Sequence, residues 1–182
     1  ARDDRIRPNI KNTLKKTIEI YLIYTLFGII LYILAGLPLF DSVNLTFTTI
    51  STGGMSIKNA NVGFYQNSLV YIITMALMII GATSFSIHYK IVKTRGKSVL
   101  KDVQFQLLIC LIVIASAFIL VTNKMVPIEE LFTIVSAITT TGANVVPPYE
   151  LARWSSASLI VLMVLMLIGG SSGSTGGGLK LI

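Results

Sequence analysis

Two short stretches gather hydroxyl and glycine residues: Thr48 to Ser56 reads TTISTGGMS, and Ile138 to Val146 reads ITTTGANVV. In these, Ser51-Thr52-Gly53-Gly54 and Thr140-Thr141-Gly142-Ala143 offer hydroxyls and backbone carbonyls, and glycine permits the φ values that aim consecutive carbonyls in one direction. Such groups are hard oxygen ligands for a cation. Neither turn holds a carboxylate, so the ligand field is made of dipoles and suits a large, weakly hydrated monovalent ion better than a divalent one. Desolvating a bare ion costs on the order of tens of kcal/mol. Several carbonyl rings must therefore replace its water, and two turns cannot encircle an ion.

A third cluster, GGSSGSTGGG, runs from Gly169 to Gly178 (Gly169, Gly170, Ser171, Ser172, Gly173, Ser174, Thr175, Gly176, Gly177, Gly178) and leads through Leu179 to Lys180. Each glycine costs about 1 kcal/mol in a helix relative to alanine, so a continuous helix there is expensive. A phosphate loop of the form G-x-x-x-x-G-K-[ST] fails, because Leu179 stands at the lysine position. Gly169 and Gly173 satisfy GxxxG, which leaves most of the run unexplained. Lys180 either holds the inner end of the run through a carboxylate or snorkels toward the aqueous side.

The surroundings of these clusters are those of a membrane protein: 53% of the 182 residues are hydrophobic, 13% are charged, and the mean hydropathy is +0.78. Apolar stretches run Ile18–Gly36, Leu69–Ile87, Gln104–Thr122 and Ser158–Gly170, the first three close to the ~20 residues of a spanning helix. Arg2, Arg5, Arg7, Lys11, Lys15 and Lys16 precede the first stretch, and Lys90, Lys93, Arg95, Lys97 and Lys101 separate the second from the third. The other connections carry Lys58, Lys124 and Arg153. The positive-inside rule then puts the N-terminus of this segment in the cytoplasm and brings both hydroxyl-glycine turns in from outside. The net charge of +7 is accounted for by topology, with basic residues at span ends, and calls for no nucleic-acid partner.

An 89-residue shift lays Pro38 on Pro127, Asp41 on Glu130, Ser51-Thr52-Gly53 on Thr140-Thr141-Gly142, and Gly81 on Gly170, as an internal duplication would. Each unit reads as a spanning helix, a re-entrant segment, the turn and a second span, repeated in the same sense. The segments Pro38–Ile50 and Pro127–Thr139 are about 20 Å long if helical, against roughly 30 Å of hydrocarbon, so they enter without crossing. Asp41, Glu129 and Glu130 stand near their starts, where they either complement the helix dipole or concentrate cations at the outer face. Residues 1–16 form a basic cytoplasmic segment, 17–96 the first unit, 97–103 a cytoplasmic linker and 104–182 the second unit. With no initiator Met and no tail past the glycine run, the chain reads as a piece of a longer protein.

Irregular backbone at membrane depth must be buried by protein or line a watery cavity, and potassium channels use rings of carbonyls in this way. A helix, re-entrant helix, turn and helix with TTISTGG, then TTTG and then GGSSGSTGGGLK, resembles the Trk/Ktr/HKT superfamily of potassium transporters, in particular the prokaryotic Trk-type channel subunit, over nearly the whole chain. The resemblance places the chain at the second and third of the family's four repeats. It implies an all-α polytopic membrane protein of tandem helix, re-entrant pore helix, filter loop and helix repeats in the cell membrane. It also implies K+ as the transported ligand. Ile50, Ser51, Thr52 and Gly53, with Gly54, then form one filter wall, and Thr139, Thr140, Thr141 and Gly142, with Ala143, another. Gly169 to Gly178 becomes a flexible intramembrane loop beneath the filter that gates it. The remaining two repeats, a second copy in a homodimer and a cytoplasmic nucleotide-binding RCK-type regulatory subunit are the implied partners, beside the bilayer itself. An ion-coupled carrier of K+ with H+ or Na+, or a less selective monovalent cation channel, is the alternative.

Other residues are assigned more ordinary roles. His88 is expected as an interfacial anchor, Trp154, Tyr149 and Tyr65 as outer-boundary aromatics, and Cys110 as a small packing residue. Glu19 is expected to snorkel or pair with a lysine. No Ser/His/Asp set, carboxylate pair or transition-metal cluster stands out, so no enzymatic activity is expected.

Overall fold

The computed structural model describes residues 10–94, 102–122 and 127–181. The basic residues Arg2, Arg5, Arg7, Arg95, Lys97, Lys101 and Lys124, and with them most of the 97–103 linker, lie outside the described residues. In chain order the helices are α1 (Ile10–Leu34), α2 (Leu39–Ile50), a 3-10 turn (Asn61–Tyr65), α3 (Ser68–Ala82), α4 (Phe85–Thr94), α5 (Val103–Thr122), α6 (Pro127–Ile138), α7 (Pro148–Leu151) and α8 (Ser156–Ile168). Strands are absent among the described residues, where an isolated bridge joins Ser171 to Leu181. The all-α architecture is thus the one expected.

Length separates the helices into kinds. Leu14–Leu34 in α1 and Val103–Thr122 in α5 are long and apolar enough to span, with mean hydropathy 2.0 and 2.7. Their outer faces are greasy: Leu26 is 62% exposed and Val113 60%, the reverse of a helix facing water. By contrast α2 and α6 have 12 residues each, about 18 Å of helix, too short for the roughly 30 Å of hydrocarbon. Each packs against the long helix before it, and α3 against α6 joins the two units. There Tyr71 meets Phe132 edge-on at 5.9 Å, within a core of Leu45, Met78, Ile119 and Ile138.

The second expected span, Leu69–Ile87, is not continuous. Helix α3 ends at Ala82, Thr83 is extended (φ −89°, ψ 141°), and α4 starts afresh at Phe85 with the Ser84 carbonyl taking the N–H of Ile87 and His88. His88 is not an interfacial anchor. It is 4% exposed, with Nδ1 3.0 Å from Tyr24 Oη and Nε2 3.0 Å from Ile80 O, a carbonyl of the last turn of α3. A neutral ring with its proton on Nε2 satisfies both partners. Trp154 is likewise buried, at 5% exposure, rather than part of an aromatic belt, and Cys110 faces outward. Glu19 pairs with Lys16.

The helices of the two units correspond one residue away from the shift that residue identities suggest. Leu39–Ile50 matches Pro127–Ile138, and the cap residue Asn67 matches Ser155, at a separation of 88. Proline misled the comparison because it fits two places at a helix start: Pro38 is the N-cap of α2, whereas Pro127 is the first residue of α6.

Candidate functional site

The two turns follow α2 and α6 with the same hydrogen bonds. The N–H groups of Ser51, Thr52 and Gly53 donate to Phe47, Thr49 and Thr48; those of Thr139, Thr140 and Thr141 donate to Val135, Ala137 and Ser136. Thr52 (φ 52°) and Thr140 (φ 55°) are left-handed, which a β-branched residue adopts only under constraint. Each hydroxyl donates to the preceding carbonyl, Ser51 O or Thr139 O, at 2.7 Å. Two residues on, Gly54 (φ 67°) and Gly142 (φ 74°) are left-handed as well. Gly54, not Gly53, is therefore the counterpart of Gly142, and Gly53 stands where the second turn has Thr141.

Gly54 also sets how closely the turns approach. A Cβ there would lie 1.9 Å from Thr141 O and 2.9 Å from the Gly142 carbonyl carbon, so the first turn rests directly on the second. The segments beyond are tied together by Gly63 N–H to Asn144 O at 3.1 Å. Asn61 Nδ2 donates to Gly54 O at 3.0 Å and Ser136 Oγ to Ala143 O at 2.8 Å. The carbonyls of Thr52, Gly53, Thr140, Thr141 and Gly142 accept no bond from the described residues. At the helix ends, Ile50 is 2% exposed and Thr139 fully buried, whereas Ser51 is exposed.

The glycine-rich run lies against these turns and hydrogen-bonds to them and to the break after α3. It begins where α8 stops at Gly169 (φ 75°) and folds back on itself: Gly170 N–H bonds Gly177 O, Leu181 N–H bonds Gly170 O, and Ser172 N–H bonds Leu181 O. It also takes the carbonyls that the break after α3 exposes, Ala82 O from Ser171 N–H at 2.9 Å and Gly81 O from Thr175 N–H at 3.1 Å. Gly173 O in turn accepts from Phe85 N–H. Ser174 Oγ closes a local turn on Ser171 O, and a Cβ on Gly176 would sit 3.3 Å from Thr139 O. Gly178 (φ 86°) packs on Gly169 too tightly for any side chain. Among the described residues Lys180 meets no carboxylate, and its Nζ bonds Gly176 O within the loop.

On the outer side, Asp41 stands in the first turn of α2 and is 7% exposed. Its Oδ2 accepts from Tyr65 Oη at 2.9 Å and lies 3.4 Å from Lys58 Nζ, which also stands over the Phe64 ring. Its charge is thus answered locally instead of being offered to solution. Burial, and next the bond to Asp41, push the Tyr65 phenol well above its ordinary range. A cleft of 380 Å³ runs from Asp41 down α2 to Thr48, Ser51 and Met55, and a wider one of 850 Å³ opens between the units beside Asn61, Glu129, Asn144 and Glu150.

Sequence comparison supplies the family. Residues 1–128 match the TrkH family model, described as a cation transport protein. The chain belongs to the TrkH family. Across its full length it is 41% identical to an uncharacterized cation transporter of Methanocaldococcus jannaschii, of which it covers 37%. It is 31% identical to the Trk system potassium uptake protein TrkH of Halomonas elongata, again over its whole length and 39% of that protein. The crystal structure of the potassium transporter TrkH from Vibrio parahaemolyticus aligns with 96% of this chain and 39% of its own at TM-score 0.84 and 28% identity. The chain thus spans about two-fifths of the length of these TrkH relatives, and it is a membrane transport protein segment by family and by its apolar spans.

Proposed function

We propose that this segment supplies two of four pore loops of a potassium channel or transporter subunit, with K+ passing the carbonyls of Ile50 to Gly54 and of Thr139 to Ala143. The observation that carries this reading is the seat of Gly54 on the Thr141–Gly142 peptide, which brings two turns of unpaired carbonyls side by side at the ends of half-span helices. Dipoles from α2 and α6 put partial negative charge at those ends, as a cation requires. Potassium uptake is the function in the names of TrkH relatives.

Internal symmetry supports a ring. Phe132 of α6 packs on α3, and the equivalent position on α2 is Asn44, which lines the 380 Å³ cleft. That face is the seat of a preceding repeat, and the outward side of Gly142, where a Cβ would meet nothing within 4 Å, that of a following one. The glycine-rich loop, lying beneath Ile50 and Thr139, is the gate. A cytoplasmic nucleotide-binding regulatory subunit moves it, in a homodimer whose N-terminal segment is cytoplasmic.

The test is growth of a potassium-uptake-deficient bacterium at limiting potassium, with the full-length protein supplied. Growth is expected, and deletion of Ser171 to Gly176 is expected to raise rubidium influx. A well-expressed protein that restores neither growth nor influx refutes the assignment.

A further inference from the structure

We infer that Thr175 determines ion selectivity, because its hydroxyl holds the Ile50 carbonyl at the floor of the pore turns. The inference rests on the pore reading above and asks whether the glycine-rich loop is only an obstruction or also shapes the filter.

Thr175 Oγ1 lies 2.9 Å from Ile50 O and 2.8 Å from Gly81 O. A hydroxyl has one proton, and Gly81 O already receives the Thr175 amide at 3.1 Å. Both carbonyls lie within reach of that proton, and Ile50 O, which receives no other bond from the described residues, is the one that depends on it. That carbonyl closes α2, and the N–H groups of Thr52, Gly53 and Gly54 all turn back to Thr49 and Thr48, leaving it to the loop. The close approach depends on Gly81, where a Cβ would fall 2.6 Å from Ile50 O and 3.1 Å from Thr175 Oγ1.

A second contact reaches the other turn. Gly177 N–H donates to Thr140 Oγ1 at 2.5 Å, and Thr140 Oγ1 donates to Thr139 O. Residues two apart in one loop thus hold a carbonyl of the first wall and, through a hydroxyl, a carbonyl of the second. A steric plug needs neither bond. With the loop latched, Ile50 O is oriented toward a hydroxyl and is less available to an ion; without the latch its direction is set by the helix end alone. Gate position and ring geometry are therefore coupled through one side chain.

The experiment measures K+/Na+ permeability ratios of the full-length protein in planar bilayers for wild type, Thr175→Ala, Thr175→Val and Thr175→Ser. Removing one neutral hydrogen bond should shift the ratio about three- to tenfold in the Ala and Val variants, while Thr175→Ser keeps the wild-type ratio. Ala deletes the hydroxyl without pressing methyl groups on two carbonyls, so it carries the comparison if Val does not accumulate. Increased current at an unchanged ratio in the Ala variant overturns the inference and leaves the gate intact, as does a Ser variant that behaves like Ala. A wild-type protein that passes no potassium overturns the pore reading together with the inference.

Discussion

Gly53 and Gly54 are adjacent glycines that the backbone treats differently, and substituting each tests the register of the site. At Gly54 an alanine would have to hold φ near 67°, about 1–2 kcal/mol uphill for an L residue. It would also put a Cβ 1.9 Å from Thr141 O. Ordinary contact begins at 3.4 Å, so the two turns would have to part by about 1.5 Å. Displacing an organised site by ~1 Å costs on the order of a hundredfold in rate. Gly53 has no such constraint: its φ is not left-handed, and the nearest atom to a Cβ is Ser51 Oγ at 3.3 Å, the end of a side chain that can rotate. Rubidium influx per unit of membrane-inserted full-length protein should therefore fall about a hundredfold in Gly54→Ala, and only a few-fold in Gly53→Ala. Equal losses, or a larger loss at Gly53, would refute both the 88-residue register and the claim that the turns touch through Gly54.

Two further outcomes follow from buried side chains. His88→Phe keeps the ring but removes both hydrogen bonds, leaving Tyr24 Oη and Ile80 O unanswered in a buried place. It should destabilise the detergent-solubilised protein by about 1–3 kcal/mol in denaturant unfolding, and adding Tyr24→Phe should cost less than the sum of the two. Tyr65 is raised in the folded state by burial and the Asp41 bond, so that contact is present below the phenol's unfolded value near 10 and is lost only as pH climbs through the higher folded value. Alkaline titration followed by phenolate absorbance should lose one late-titrating tyrosine in Tyr65→Phe relative to wild type.

The helices that position the site were legible because they rest on composition and length. The expected re-entrant segments ended within a residue of where α2 and α6 end, since Pro, an apolar run and a following glycine leave little choice. The register was not legible, because identity aligned the glycine of STG with that of TTG, whereas the backbone needs glycine where φ is positive and the neighbouring turn presses closest. GG offered two candidates, and only tertiary contact chooses between them. The break at Thr83 was hidden for a related reason: hydropathy runs smoothly through Leu69–Ile87, and the partners that make it affordable to end α3 are 90 residues away in the glycine run. Asp41 stands in the first turn of α2 as expected, but its partners Tyr65 and Lys58 were not legible, and His88 was misread, because sequence gives a residue's chemistry but not the side chains facing it.

The two breaks are one feature of the repeat put to two uses. At a separation of 88, Thr83-Ser84 corresponds to Ser171-Ser172, and both units interrupt their second helix close to this point, α3 at Ala82 and α8 at Ile168, two residues short of the position equivalent to Ala82. In the first unit Ser84 caps a new helix and the chain runs Phe85-Ser86-Ile87-His88, with Ile87 and His88 buried against the rest. In the second the matching residues are Gly173-Ser174-Thr175-Gly176, followed by Gly177 and Gly178. Four glycines withdraw about 4 kcal/mol of helix propensity, and no apolar side chain remains to recover it by packing. No helix forms over residues 173–178. The freed N–H groups turn instead to carbonyls released by the first unit's break and to the hydroxyl of Thr140. The first interruption thus supplies most of the acceptors and the second most of the donors, with Phe85 N–H to Gly173 O running the other way, which is how a loop rich in glycine comes to lie in a single place against the two turns.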